Sequence, residues 1–136
     1  MRFFTLLLLI TSCRKERPPP IVQSEIVHAN GLKTQILAEG DGDEAKQGDK
    51  IEVNYVGRLS DGGVFDSTRI SGHVFSFWVG EGMVIKGWDE GILGMREGEI
   101  RRITVPPALG YGSNPPRKII PPNETLTFEV ELTDVR

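Results

Sequence analysis

Two polar side chains, Asp66 and Tyr111, stand in stretches that are otherwise aromatic or branched: "GGVFDST" and "LGYG", with "VIKGWDEG" and "LTFEVEL" supplying further apolar groups. A carboxylate accepts hydrogen bonds and a phenol donates them. Set among Tyr55, Phe65, Phe75, Val84, Ile85, Trp88, Ile120 and Phe128, the pair has the composition of a concave apolar site in which a few polar groups orient a ligand. For any one of these aromatics taken alone, burial in a core is the plainer reading. The set reads differently, because its members come from strands, loops and a helix alike and flank Asp66 and Tyr111. The chemistry on offer is binding and orientation. His28 and His73 are lone and belong to no local motif, so neither is assigned a catalytic role. No metal and no cofactor is expected.

The elements that must position these residues are mostly strands. "KIEVNYVGRL" alternates Ile51, Val53 and Tyr55 with Glu52, Asn54 and Arg58, and "LTFEVELTDV" alternates Leu126, Phe128, Val130 and Leu132 with Thr127, Glu129, Glu131 and Thr133. Period-two patterns of this kind predict half-buried antiparallel strands. "LKTQILAEG", "FSFWVG" and "EIRRITVPP" add three more, each bounded by Gly, Pro or an acidic turn. One segment suits a helix: Ile85, Trp88, Ile92 and Met95 share a face at spacings of three, four and three. The expected fold class is therefore α+β, a twisted sheet covered on one face by one short helix. "SDGGVFDSTRISGHV" and "PPALGYGSNPPRKIIPPNE" are long Gly/Pro-rich loops carrying Phe65, Tyr111, Ile119 and Ile120. Long loops with such side chains in a compact domain are usually functional.

Composition narrows the rest. A chain of 136 residues, 38% hydrophobic and 26% charged, has room for one domain with one modest core. Its formal charge of -3, with no basic cluster in the strand-rich body, argues against nucleic acid as a partner. The chain is read as a monomer. Asp41-Gly42-Asp43-Glu44 lacks the remaining ligands of a calcium loop and reads as a solvated acidic turn.

The N-terminus is a separate object. In "MRFFTLLLLITSC" a positive residue, Arg2, precedes an apolar run from Phe3 to Ile10 and then small residues ending at Cys13, the order of a secretory signal. The run falls well short of the roughly 20 residues a spanning helix needs. Ile10-Thr11-Ser12-Cys13 resembles the bacterial lipobox, whose cysteine is acylated and becomes the new N-terminus. A thiol in a leader cut elsewhere is the plain alternative. Cys13 is the only cysteine, so no intramolecular disulfide can form. "RKERPPPIVQSE" follows as an extended Pro-rich tether. The expected organisation is a signal peptide over 1–12, a lipidated N-terminus and tether over 13–30, and a folded domain over 31–136. A membrane contact through the lipid and a place in the bacterial cell envelope follow, in the periplasm or on a membrane surface. Arg14 lacks the aspartate that favours inner-membrane retention in some bacteria, a weak tilt to the outer membrane.

From about Leu32 to Val135 the chain resembles the FKBP-type peptidyl-prolyl isomerases, in "GDKIEVNYVGRLSDGGVFDST", "FSFWVGEGMVIKGWDEGILGM", "LGYG" and "IIPPNETLTFEVEL". The resemblance implies a bent antiparallel half-barrel around one short helix, with an apolar proline-binding pocket. Proline-containing polypeptides of exported proteins would be the substrates, and macrolide ligands are possible. It further implies Trp88 as the floor, Tyr55, Phe65, Val84, Ile85 and Phe128 as walls, and Phe75 at the rim. Asp66 and Tyr111 would be the polar pair, and Ile119 and Ile120 would line an overhanging loop. The Ile85 N–H and the Tyr111 hydroxyl would donate to substrate carbonyls. Four positions depart from the family's usual residues: Ser71 where an arginine is common, Met83 where an acid is, Gly110 for alanine, and Pro116 where a histidine or another residue often lies. Without that arginine, Asp66 is expected to have one contact fewer. Two other classes compete with an isomerase: a module that binds proline segments or macrolides with little turnover, and a holdase chaperone. Against the chaperone, no domain is inserted between Val79 and Val84 and no helical dimerisation segment precedes the body.

Overall fold

The computed structural model describes residues 24–136; the expected signal segment, Cys13 and the Pro-rich stretch of the expected tether lie outside the described residues. Seven strands form one antiparallel sheet: β1 (Ser24–Val27), β2 (Lys33–Ala38), β3 (Lys50–Arg58), β4 (Val64–Ser67), β5 (Phe75–Trp78), β6 (Ile100–Val105) and β7 (Leu126–Val135). Their order is β1-β2-β6-β7-β3-β4, with β5 also on β3. β4 and β5 share one side of β3, pairing with Val56–Arg58 and Lys50–Val53 respectively. Among the described residues three helical segments accompany the sheet, the single turn α1 (Thr68–Ser71), α2 (Lys86–Gly91) and a 3-10 turn at Pro107–Leu109.

The alternation read in β3 and β7 is the alternation of burial. Ile51, Val53, Leu126, Phe128, Val130 and Leu132 are buried, while Glu131 and Thr133 are exposed. On the outer face Arg102 and Glu129 stand opposite each other in the β6–β7 register and pair at 3.1 Å, a cross-strand contact that contributes a few tenths of a kcal/mol in so exposed a place.

Three features differ from the sequence expectation. The sheet begins at Ser24, inside the stretch assigned to the tether, because Ser24–Val27 pairs with Lys33–Ile36 across a turn at Asn30–Gly31. β4 and α1 lie within what reads as one long loop; four residues each are too short to show a period. α2 stops at Gly91 although the apolar spacing runs on to Met95. Gly94 takes a left-handed φ of 82°, and the backbone there turns to pair with Ala45, Gly94 N to Ala45 O at 3.0 Å and Ala45 N to Met95 O at 2.8 Å. Ile92 and Met95 still reach the core. The end of α2 is capped from the sheet: Arg101, paired to Glu99 at 2.7 Å, donates to the carbonyls of Gly91 and Leu93 at 3.0 and 3.1 Å. A cation is the favourable group at a helix C-terminus.

Candidate active site

α2 lies close enough to β6 that glycine is needed at the contact: a Cβ on Gly87 would stand 2.6 Å from Val105 Cγ1, and one on Gly91 2.9 Å from Ile103 Cγ2. This approach sinks Trp88 into the concave face, where it is 4% exposed. Four rings surround it: Tyr55 at 4.9 Å, Phe128 at 5.3 Å, Phe77 at 5.7 Å and Phe75 at 6.0 Å between centroids. The Tyr55 and Phe128 rings meet the indole edge-on, both at 86°, the arrangement favoured by the ring quadrupoles. The indole N–H is buried without an acceptor among the described residues. Trp88 therefore contributes ring surface here rather than a hydrogen bond.

Above it opens a cavity of about 480 Å³ lined by Tyr55, Phe65, Asp66, Phe75, Gly82, Met83, Val84, Ile85, Trp88, Tyr111 and Phe128, within the usual range for small-ligand sites. Every residue expected at the pocket lines it except two. Ile120 is 3% exposed within the core cluster, and Ile119 is 48% exposed; neighbours in a loop face opposite ways, one packed inward and one outward, and neither reaches the cavity wall. Phe75 lines the cavity and is 38% exposed.

The polar groups are arranged differently from a simple Asp66–Tyr111 pair. The Tyr55 hydroxyl donates to Asp66 Oδ2 at 2.6 Å, the short distance of a charge-assisted bond. Tyr55 is itself held by Thr68, whose Oγ1 accepts from the Tyr55 N–H at 3.1 Å. Burial pushes the Tyr55 phenol well above its ordinary pKa, helped by the bond to Asp66 and by that residue's negative charge. Burial, then the Asp66 charge, pushes Tyr111 up as well, while the cation of Arg117 opposes the rise in both. Ser71 does not face Asp66: its hydroxyl donates to the carbonyl of Thr68 at 3.1 Å and closes α1.

Two positioning residues carried little signal in the sequence. Asp89 accepts from the N–H groups of Gly80 and Gly82 at 2.9 and 3.1 Å, pinning the loop that presents Met83 and Val84 to the cavity. An acid in the first turn of a helix beside a Gly-rich loop is a capping signal that could have found it. Arg117 donates from Nη1 to the Phe65 carbonyl at 3.0 Å; a lone basic residue in a Pro-rich loop has no pattern to read. The Ile85 N–H lies outside the helix ladder, since the first bonds of α2 run from Trp88 N and Asp89 N to the Ile85 carbonyl, so it is one of the amides a helix start leaves open.

Both tyrosines of the chain, Tyr55 and Tyr111, are in this site, which makes a spectroscopic prediction possible. With both pKa values raised, tyrosinate absorbance should stay low in the folded protein at about pH 10, where an ordinary phenol is half ionised. The site's donors should thus persist and kcat/KM should show no loss through that pH. Stability follows the same sign. The contribution of the protonated phenols is fully present below about pH 10, the unfolded value, and is lost as pH rises towards the folded ones. A tyrosinate step of full amplitude near pH 10 in folded protein would contradict the geometry.

The FKBP-type peptidyl-prolyl cis-trans isomerase family model matches residues 42–133. The chain is 45% identical over 112 residues to FK506-binding protein 1A of Neurospora crassa, covering 82% of this chain and 93% of that one. It is 47% identical over 105 residues to an FK506-binding protein of Neisseria meningitidis, covering 77% and 96%. Among solved structures, that of AtFKBP13 superposes with a TM-score of 0.77 at 36% identity over 83% of this chain and 99% of its own. FkpA from Escherichia coli superposes with a TM-score of 0.75 at 38% identity, over 84% and 52%. With the sheet, the helix and the aromatic cavity in place, these likenesses show that the chain belongs to the FKBP-type peptidyl-prolyl cis-trans isomerases.

Proposed function

We propose that the cavity catalyses rotation about X-Pro bonds by seating the proline ring on Trp88 and holding the amide while it is twisted. The barrier to peptide rotation is about 18–20 kcal/mol because rotation breaks amide resonance, and X-Pro bonds relax unaided in tens to hundreds of seconds. A site that binds the twisted amide better than either planar form lowers that barrier, about tenfold in rate for each 1.4 kcal/mol. The aromatic walls withdraw water from the carbonyl oxygen, whose resonance form carries charge. The Ile85 N–H and the Tyr111 hydroxyl donate to carbonyls of the bound chain, while Asp66 holds Tyr55 in the wall. The observation that carries this reading is the buried indole under a cavity whose polar groups stand at its sides.

Exported proteins are the proposed clients, with the domain held in the cell envelope by acylated Cys13. Support lies in the order Arg2, apolar run, Ile10-Thr11-Ser12-Cys13 and in the Pro-rich segment behind it. Several acyl chains at about 0.8 kcal/mol per buried methylene would hold the domain on a membrane. A macrolide of the kind for which the Neurospora crassa and Neisseria meningitidis relatives are named would occupy the same cavity.

The test is cis-to-trans relaxation of proline tetrapeptides. Acceleration should be greater for Leu-Pro than for Glu-Pro, because an unpaired carboxylate against Phe75 and Ile85 is costly, and a macrolide should abolish it. Equal rates for the two peptides, or turnover that survives saturating macrolide, would count against the pocket. In cells, labelled fatty acid should enter the wild type and not Cys13→Ser; an unlabelled wild type would remove the anchor.

A further inference from the structure

The β3–β4 ladder pairs Gly57 with Asp66 and Arg58 with Val64, leaving Phe65 as the extra residue of a bulge. A bulged residue falls outside the ladder, and β4 ends the strand order among the described residues. The Phe65 carbonyl is therefore free to take a donor from outside the sheet. Arg117, 52 residues further along, supplies it at 3.0 Å.

Phe65 and Arg117 are both placed where such a bond matters. The Phe65 ring is a cavity wall, packed edge-on against Phe128 at 5.7 Å, and the next residue is Asp66, which holds the Tyr55 hydroxyl. Arg117 belongs to the loop that carries Tyr111, and its own carbonyl accepts from Ile120 N at 3.1 Å, closing a turn that sends Ile120 into the core. One side-chain bond thus joins the strand bearing a wall and the carboxylate to the loop bearing the second phenol. The cation also acts on both tyrosines, against the effect of Asp66. α1 sends no competing cation from position 71, where Ser71 caps its own turn.

We propose that Arg117 is a positioning residue of the isomerase site, latching the 106–125 loop to the bulge at Phe65 and placing a positive charge beside the Tyr55–Asp66–Tyr111 group. The proposal rests on the isomerase reading of the cavity. It acts through the groups that orient the amide, while the floor that binds the proline ring stays intact. Removing it should therefore lower kcat more than it raises KM.

Arg117→Met, Arg117→Lys and Lys118→Met, each in the full chain, separate the possibilities on a Leu-Pro tetrapeptide. Arg117→Met should lose about tenfold in kcat with KM within about threefold of wild type, the scale of effect that loosened positioning produces. Thermal midpoints should be nearly unchanged, because Arg117 is exposed. Arg117→Lys keeps the charge and one donor and should recover most of the loss, and Lys118→Met, next door and also exposed, should match wild type. Arg117→Met within twofold of wild type would overturn the proposal. So would equal losses in the Met and Lys variants, or a loss that tracks a lowered midpoint. A wild type without activity in the same assay would instead sink the isomerase reading.

Discussion

Trp88→Leu should leave a folded protein that has lost at least about tenfold in kcat/KM, or ~1.4 kcal/mol of transition-state stabilisation. The indole is the surface on which four rings converge, and it is almost wholly buried. Leucine keeps an apolar group on α2 but loses the flat face and leaves space among Tyr55, Phe75, Phe77 and Phe128. The cost in stability should be on the order of 2 kcal/mol, below the usual 3–5 for truncating a buried aromatic to alanine. Because the indole N–H makes no hydrogen bond among the described residues, no polar partner there is stranded by its removal. Macrolide affinity should fall together with activity, the two depending on one surface. Circular dichroism, tetrapeptide kinetics and macrolide titration check the three parts. Activity lost at unchanged affinity would mean that ligand and substrate do not share this floor.

Gly87→Ala should destabilise the protein, the opposite of what helix propensity alone says. Alanine is better than glycine inside a helix by about 1 kcal/mol, so the sequence "KGWDEG" on its own predicts a gain. The added Cβ, however, would stand 2.6 and 2.7 Å from the two methyls of Val105 and 3.2 Å from its Cβ. Val105 is β-branched, fully buried and on a paired strand, so it cannot swing aside. α2 must lift from β6, and the neighbouring Trp88 lifts with it. Overpacking costs about 1–3 kcal/mol; with two methyls overlapped the upper end applies, and less the roughly 1 kcal/mol of propensity the net loss is about 2 kcal/mol, which lowers the thermal midpoint by about 8 °C in a domain of this size. Activity should fall with it through the displaced floor. Val105→Ala in the same chain opens the contact and should return much of both. A raised midpoint in the single variant would show that the helix and sheet are less tightly apposed than the structure has them.

The two glycines in α2 illustrate a wider division. Their presence was visible in the sequence, but only the distance between α2 and β6 shows that they are needed and which way a substitution acts.

Strands β3 and β7 were legible because burial on one side of a sheet repeats every two residues, so Ile51, Val53, Leu126, Phe128, Val130 and Leu132 announce both the element and its inner face. The helix face from Ile85 to Met95 was legible for the same reason, with its own period. The residues of the cavity were legible as a set of types, and the family's motifs ordered them. What no period records is contact between segments distant in the chain. The end of α2 is decided by pairing of Gly94 and Met95 with Ala45, and the strand at Ser24–Val27 by its neighbour β2. The Tyr55–Asp66 bond joins β3 to β4, and Arg117 reaches a carbonyl exposed by a one-residue bulge. Local sequence determined which residues turn inward, because that depends on a repeat of two or 3.6 along one segment. Only the tertiary structure decided which inward residues meet, because a hydrogen bond or a ring contact depends on angstrom-scale distances set by the packing of all the segments together.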